Sequence, residues 1–207
     1  MTVNLELYGA PTGNCFRVAI ALEEAGLPFE VRGMDLRQGA HQDSGFLRLN
    51  PAGKVPVLVD RRKGPDLVLS QSNAIMLHLA ATASERLMPF EQPDLLARFY
   101  ERLFYFITDV IAPSHAAFLL RSTGDEVGAR TLLRRSTVNL MAAQRFLDDD
   151  GYMLGDRFSL VDIAAVTIAT ASRDDIDWST VPRLRGWFER VSARPAVIRG
   201  FQAFASG

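Results

Sequence analysis

Three residues with polar or reactive side chains, Thr12, Asn14 and Cys15, stand close together in the stretch APTGNCFRV. An apparent strand from Leu5 to Tyr8 precedes them and apolar residues at helical spacing follow, so they lie where a helix begins. A helix start offers free backbone N–H groups and partial positive charge, which stabilise an anion such as a thiolate. The stretch is therefore a catalytic thiol site, a site for the thiol of a ligand, or only a turn.

Composition limits the classes of function that the chain can have. It has 207 residues, of which 48% are apolar and 23% are charged, as in ordinary globular domains. A net charge of −1 gives no reason to expect nucleic acid or an acidic membrane surface as a partner. The N-terminus does not resemble a signal peptide, the single cysteine fits a reducing compartment, and the apolar runs fall short of the roughly 20 residues of a membrane span. These features predict a cytoplasmic location.

The histidines give no metal-binding pattern. His41, His78 and His115 are scattered along the chain, and the single cysteine adds no usual metal-ligand spacing. The chain also lacks the glycine-rich loops that hold nucleotide phosphates. We therefore expect neither a metal nor a nucleotide cofactor.

The first part of the chain alternates between short apolar strands and helices. Strands are predicted at NLELYG, LPFEVRGM, VPVLVD and DLVLS, and the polar turn RRKGP joins the last two as a hairpin. Helices are predicted around Val18 and from Gln71 through NAIMLHLAATA, and SGFLRLN is predicted to be a short irregular or helical stretch. The order β-α-β-α-β-β-α predicts a small α/β domain over residues 1–83.

The second part of the chain carries helical periodicity without strand patterns. Residues 84–92 contain prolines and charges and predict a linker, and residues 93–207 predict an all-helical domain. A long helix is predicted from Leu96 to Leu120.

A later helix begins at Ser159, where Ser159 and Asp162 match a capping box with Asp in place of the usual Glu or Gln. We expect this box to serve folding and the region of Trp187 to serve packing, with no part in chemistry.

An α/β half followed by an all-helical half resembles the cytosolic glutathione transferase superfamily. The stretches LYGAPTGNCFRVAIALEEAGLPFE, NPAGKVPVLVD, LSQSNAIMLHLA and FSLVDIAA carry the resemblance, in the family's order and over nearly the whole chain. It implies a thioredoxin-like N-terminal domain, an all-helical C-terminal domain, and glutathione as substrate or co-substrate.

The motif GKVPVL has a ligand-binding role in that family. The resemblance implies a cis peptide bond before Pro56, which leaves the backbone N–H and C=O of Val55 unpaired at a sheet end. These two groups would form a short antiparallel ladder with the cysteinyl residue of glutathione. The alternative is a plain turn between Gly53 and the strand.

Gln71 and Ser72 open the third predicted helix, where free N–H groups and partial positive charge suit a carboxylate. The resemblance implies that Ser72 holds the γ-glutamyl carboxylate and that Gln71, in place of the usual Glu, contacts the ligand's ammonium. It also implies that Lys54 and His41 pair with the glycine carboxylate. The alternatives are simple N-capping by Ser72 and a solvated loop position for His41.

The motif APTGNC is most similar to the A-P-T-x-N pattern of the Nu class and related fungal proteins. This resemblance implies that Thr12 donates its hydroxyl to the ligand's sulfur and that Asn14 contributes its amide or its backbone N–H. Cys15 lies one position beyond the catalytic cysteine of other classes, a rotation of about 100° on a helix. We expect it to be a buried bystander. A catalytic role for Cys15 or Tyr8, and a purely capping role for Asn14, remain alternatives.

The Nu-class resemblance implies glutathione-dependent disulfide exchange or peroxide reduction. Conjugation of glutathione to an electrophile is the alternative, and a non-enzymatic binding protein on the same fold is a further one. The resemblance also implies a homodimer. The small-molecule acceptor would lie against apolar residues of the helical half, with Tyr100, Phe104, Ile107 and Phe118 as candidates.

Overall fold

The computed structural model describes residues 3–83, 85–148 and 150–205. The chain forms two compact units. The N-terminal unit comprises Met1–Glu85 together with Ala193–Gly207, and the helical unit comprises Arg86–Ser192. This division differs from the boundaries predicted from the sequence, because residues 193–207 group with the N-terminal unit and not with the other helices.

Helices account for most of the described residues. In chain order they are α1 Gly13–Glu24, α2 Ser44–Leu49, α3 Ser72–Ala83, α4 Pro93–Phe104, α5 Ala112–Ser122, α6 Glu126–Ala142, α7 Leu160–Ala171, α8 Pro182–Ser192 and α9 Pro195–Gln202.

The N-terminal unit is built on a four-stranded sheet with the spatial order β2-β1-β3-β4. The strands are β1 Leu5–Gly9, β2 Glu30–Gly33, β3 Val57–Asp60 and β4 Leu67–Ser70. β1 and β2 are parallel because α1 crosses between them, whereas β3 is antiparallel to both of its neighbours. The order β1-α1-β2-α2-β3-β4-α3 confirms the predicted thioredoxin-like half.

α1 is buried around most of its circumference. Its residues from Val18 to Leu22 have no solvent exposure, and the helix packs against α3 and α9. α9 approaches it so closely that a Cβ atom on Gly200 would lie 2.7 Å from the backbone nitrogen of Ile20. An ion pair joins Arg194 Nε of the segment leading into α9 to Glu24 Oε1 at 2.7 Å. The body of α1 is therefore fixed, whatever its first turn binds.

The helical unit contains one continuous helical run, Pro93–Ser122, which confirms the predicted long helix. It joins α4 to α5 through a π-helical segment, Tyr105–Ile111. Pro113 has no N–H to donate to the preceding turn, and the carbonyl of Asp109 accepts instead from Asn139 Nδ2 at 2.9 Å. By length and composition alone this run could cross a bilayer, a property that core helices of soluble proteins share.

α7 forms the centre of the helical unit, since every residue from Leu160 to Ala169 is buried. The capping box predicted at its start is present, with the Ser159 N–H donating to Asp162 Oδ2 at 2.9 Å. Trp187 is fully buried and donates its Nε1–H to Asp162 Oδ1 at 2.8 Å. Trp187 and the capping box thus belong to the core of this unit.

Candidate functional site

The sheet register gathers the predicted site segments of the N-terminal unit at one end of the sheet. Tyr8 pairs with Val57, and Val57 pairs with Ser70. The segment after β1, the segment before β3 and the segment after β4 consequently emerge side by side. They contain, respectively, the start of α1, the Val55–Pro56 bond and the start of α3.

The start of α1 presents several unused hydrogen-bond donors. Thr12 is the N-cap, and its Oγ1 accepts from the Cys15 N–H at 3.4 Å. A hydroxyl that accepts a hydrogen bond can still donate its proton. Within the described residues, the backbone N–H groups of Gly13 and Asn14 donate to nothing. Thr12, Gly13 and Asn14 are all half-exposed, and the first turn holds no acidic side chain. This end of the helix is suited to receive an anion.

Asn14 has a fixed side-chain orientation. Its Oδ1 accepts a hydrogen bond from Arg17 Nη1 at 2.8 Å. A guanidinium only donates, so the atom facing it must be the amide oxygen, and the Nδ2 group is turned away. This NH2 group makes no hydrogen bond to any described residue and is available to a ligand.

Arg17 is a residue that the sequence analysis missed. Only 2% of it is exposed, and the same Nη1 that reaches Asn14 also donates to Ser72 Oγ at 3.4 Å. Burial lowers the pKa of Arg17 to about 10, so it remains charged at neutral pH. The signal in the sequence was a charged residue in the apolar run CFRVAIAL, three positions after Asn14 on the same helix face.

Cys15 points into the core of the unit. Its side chain is fully buried, and its Sγ accepts from the Ala10 N–H at 3.5 Å. Burial raises the pKa of the Cys15 thiol, with hydrogen bonds from Thr12 and Ala10 opposing that shift. A protonated, inaccessible thiol is a poor nucleophile.

The segment before β3 exposes backbone groups. The Val55–Pro56 peptide bond is cis, as the resemblance implied. Within the described part of the chain, neither the N–H nor the C=O of Val55 has a hydrogen-bond partner. Asn50 Nδ2 donates to the carbonyl of Lys54 at 2.6 Å and so fixes the turn that leads to Val55. Val55 is free to form a ladder with an extended peptide.

The start of α3 is equally open. Gln71 has φ of 72°, a left-handed conformation that non-glycine residues seldom adopt and that clusters at functional sites. Ser72 is buried, and in the described structure its N–H and that of Asn73 donate to no group. Asn73 Oδ1 is buried and likewise lacks a partner there. These groups suit a ligand that carries both a carboxylate and an ammonium.

The remaining predicted contact residues lie in or next to the turns before β3. Lys54 is exposed, and no ion pair is found for it within the described residues. His41 is half-exposed, but its Nδ1 is buried and has no partner among the described atoms. The backbone carbonyl of His41 lies beside Gly53, whose φ of 58° favours glycine.

The other predicted site residues are Tyr8 and the aromatic residues expected to contact the acceptor. Tyr8 packs its ring 6.2 Å from that of Phe46 and is half-buried. In the helical unit, Tyr100 and Phe104 stack with ring centroids 6.1 Å apart, and Phe104 and Phe118 are 53% and 77% exposed. Among the described residues, no group of three His, Cys, Asp or Glu side chains could hold a metal ion.

Comparison with known proteins identifies the family to which the chain belongs. A model described as "Glutathione S-transferase, N-terminal domain" matches residues 3–81, and one described as "Glutathione S-transferase, C-terminal domain" matches residues 107–195. Glutathione S-transferase 3 of Zea mays is 31% identical over 206 residues, which cover 93% of this chain and 90% of the maize protein. The chain belongs to the glutathione S-transferase family.

Two further relatives of this glutathione S-transferase differ in their described activities and ligands. Disulfide-bond oxidoreductase YfcG of Escherichia coli (strain K12) is 29% identical over 205 residues, covering 93% of this chain and 92% of YfcG. A crystal structure of a glutathione transferase homolog from Lodderomyces elongisporus, with two glutathione molecules per subunit, has a TM-score of 0.85 and 29% identity. The match covers 96% of this chain and 97% of the Lodderomyces elongisporus chain. The family's members are enzymes, and this chain is one of them.

Proposed function

We propose that this glutathione S-transferase binds glutathione at the end of the sheet and uses the ligand's thiolate to reduce disulfides or peroxides. The observation that carries the proposal is the register Tyr8–Val57–Ser70, which places three open segments side by side. Each segment offers hydrogen-bonding groups that no described residue uses. Their chemistry matches the three parts of glutathione: a thiol, a peptide backbone, and an amino acid head group.

The head group and peptide would be held by backbone and polar side chains. Ser72 and the α3 start take the γ-glutamyl carboxylate, while the amide of Gln71 contacts the ammonium. Val55 pairs its N–H and C=O with the cysteinyl residue. Lys54 and His41 face the glycine carboxylate, which would give the buried Nδ1 of His41 a partner.

The sulfur would lie at the start of α1. Thr12 donates its hydroxyl proton and Asn14 donates from Nδ2, or from its backbone N–H, to the thiolate. A free thiol has a pKa of about 8.5, and each unit of lowering requires about 1.36 kcal/mol of extra thiolate stabilisation. Fixed donors at a helix start supply stabilisation of this kind.

In the disulfide reaction, the glutathione thiolate attacks the glutathionyl sulfur of a mixed disulfide. A new S–S bond forms between the two glutathione sulfurs while the old bond breaks, and the acceptor leaves as a thiolate that takes up a proton. In the peroxide reaction, the thiolate attacks oxygen, the O–O bond breaks, and a second glutathione converts the sulfenic acid to a disulfide and water. Neither reaction needs a protein thiol, which agrees with the burial of Cys15.

Conjugation to an electrophile is the second candidate, and the names of the maize relative and of Glutathione S-transferase GstB of Escherichia coli (strain K12), 30% identical, favour it. Parallel assays with a glutathione mixed disulfide, an organic peroxide and chlorodinitrobenzene separate the two. We expect turnover of the disulfide or the peroxide to exceed conjugation. Strong conjugation without either reduction would reverse the order, and failure to bind immobilised glutathione would favour a non-enzymatic role.

We further propose a cytoplasmic homodimer whose acceptor contacts the apolar residues of the long helical run. The edge strand β4 supports a dimer because Leu67 and Val68 are 42% and 36% exposed. Phe104 on α4 supports an apolar contact as well. Sedimentation equilibrium tests this assembly, and a purely monomeric protein at micromolar concentration would contradict it.

A further inference from the structure

We propose that Arg17 is a positioning residue: it fixes the amide of Asn14 so that the NH2 group, and not the oxygen, faces the thiolate of the bound ligand. The inference rests on the proposed function, since it concerns how the same site activates glutathione. Its basis is the hydrogen bond from Arg17 Nη1 to Asn14 Oδ1 at 2.8 Å, made by a side chain that is 2% exposed.

The orientation of an amide beside a thiolate decides whether it helps or opposes ionisation. An amide oxygen would repel the sulfur's negative charge, whereas an NH2 group donates to it. Thr12 cannot fix the orientation of the amide, because a hydroxyl both donates and accepts, and the backbone N–H groups offer no acceptor to Nδ2. Arg17 does choose, because a guanidinium has five donors and no acceptor.

Arg17 also brings a buried positive charge that no described carboxylate pairs with. Within the described residues it forms no ion pair, and its Nε has no hydrogen-bond partner. Buried charges are normally paired, so a bound anion near this cation relieves an existing penalty. Glutathione arriving as a thiolate is such an anion.

The same guanidinium links the two helix starts that the ligand would bridge. Nη1 donates to Ser72 Oγ at 3.4 Å, although Ser72 lies 55 residues further along the chain. One guanidinium nitrogen therefore holds both oxygens, on a planar head group whose shape the ammonium of lysine does not share. Arg17 thereby sets the position of the sulfur-binding groups relative to the carboxylate-binding serine.

Arg17→Met tests the inference, because methionine fills the volume without donors or charge. Ultraviolet absorbance of the thiolate, titrated against pH with glutathione bound, gives the pKa of the ligand's thiol. We expect that pKa to rise by about one unit and kcat at neutral pH to fall about tenfold, with recovery at alkaline pH. The dissociation constant for glutathione at low pH, where the thiol is neutral, should change much less.

Arg17→Lys keeps the charge and three N–H donors but loses the planar guanidinium, so a smaller rise is expected. It replaces the methionine variant if that protein does not fold. The double variant with Asn14→Ala identifies the route: if Arg17 acts through Asn14, the two effects on the thiol pKa are far from additive.

The possible outcomes separate the inference from the function on which it rests. Wild-type protein that fails to bind glutathione, or that binds it without lowering the thiol pKa, contradicts the proposed function. A lowered thiol pKa in the wild type that persists in folded Arg17→Met or Arg17→Lys protein overturns the inference alone. A reduced melting temperature with an unchanged thiol pKa would mean that Arg17 is only structural.

Discussion

The helices α1 and α7 begin with the same kind of N-cap hydrogen bond, but the surroundings of the two caps differ. α1 begins at Thr12 and α7 begins at Ser159, and in each the hydroxyl of the N-cap residue accepts from a backbone N–H of the first turn. At α7 the surrounding groups complete the cap and bury it. At α1 the cap is left incomplete and open to a ligand.

The start of α7 is closed by internal hydrogen bonds to one buried carboxylate. Asp162 accepts from the N–H groups of Met153 and Ser159 at 2.8 and 2.9 Å, from the Ser159 hydroxyl at 3.2 Å and from Trp187 Nε1 at 2.8 Å. Burial raises the pKa of Asp162 to about 6, while these four donors favour its charged form. With hydrogen bonds on both oxygens of Asp162 and no solvent access, this end of α7 can only stabilise the fold.

The start of α1 has the same kind of donors but lacks the internal acceptor. No acidic residue stands in its first turn, and Thr12 and Asn14 are half-exposed. An anion bound there would accept from the N–H groups of Gly13 and Asn14, which no described residue uses. A buried carboxylate thus closes one helix start, whereas the other leaves first-turn donors open among the described residues.

The largest expected effect on stability is at the start of α7. Asp162→Ala leaves several buried donors unpaired, and we expect a loss of about 3 kcal/mol or more in the free energy of unfolding. Urea unfolding followed by tryptophan fluorescence measures it. The matched control is Asp177→Ala, which removes an exposed carboxylate bonded to Ser179 and should lose about 1 kcal/mol or less. Equal losses in the two variants would remove the distinction.

The next largest effect on stability concerns the packing of α1 against α9, which holds the first turn of α1 in place. Gly200→Ala places a Cβ atom against the backbone of Ile20, so we expect a loss of about 2 kcal/mol in the free energy of unfolding. Gly186→Ala is the control, since nothing lies within 4 Å of the new Cβ in that helix. It should stabilise by about 0.5 to 1 kcal/mol. A neutral Gly200→Ala would mean that α9 does not fix α1.

At the open end, the expected loss is in chemistry more than in stability. Thr12→Ala removes the hydroxyl that we propose donates to the thiolate, and we expect kcat to fall about 10- to 100-fold with a loss of about 1 kcal/mol in stability. Thr12→Ser, which keeps the hydroxyl, should retain most activity. Ser159→Ala is the reciprocal change and should lower the melting temperature while leaving kcat intact. Steady-state kinetics and calorimetry on all three variants decide whether the two caps differ in role.

The smallest effect is expected at Cys15, the single cysteine of the chain. Cys15→Ser should keep kcat within about twofold of wild type, because the thiol is buried and serves as a small core group. For the same reason, thiol reagents should label the native protein slowly and the unfolded protein at once. A folded Cys15→Ser variant that binds glutathione but is inactive would refute this assignment.

The sequence predicted the local features of the fold well. The strands and helices of the N-terminal half, the long helix and the Ser159–Asp162 box all follow from periodicity and short-range hydrogen bonding, which act over a few residues. The thioredoxin-like order followed from the same elements together with the family resemblance. The cis bond before Pro56 followed from the resemblance alone.

Features that depend on distant contacts escaped prediction. The placement of α9 against α1 depends on a glycine at position 200 meeting Ile20, a contact with no local signal. The bond from Arg17 to Ser72 spans 55 residues, and the positive φ of Gln71 belongs to a residue type that seldom adopts it. The assignment of Thr12, Asn14, Val55 and Ser72 to glutathione stays a prediction that the open hydrogen-bonding groups support.

A crystal structure with glutathione bound would test the central claim most directly. The account predicts that the ligand's sulfur lies within hydrogen-bonding distance of Thr12 Oγ1 and Asn14 Nδ2, and that its cysteinyl backbone pairs with Val55. A sulfur that instead contacts Cys15 or the Tyr8 hydroxyl, or a ligand that leaves the start of α1 empty, would contradict it.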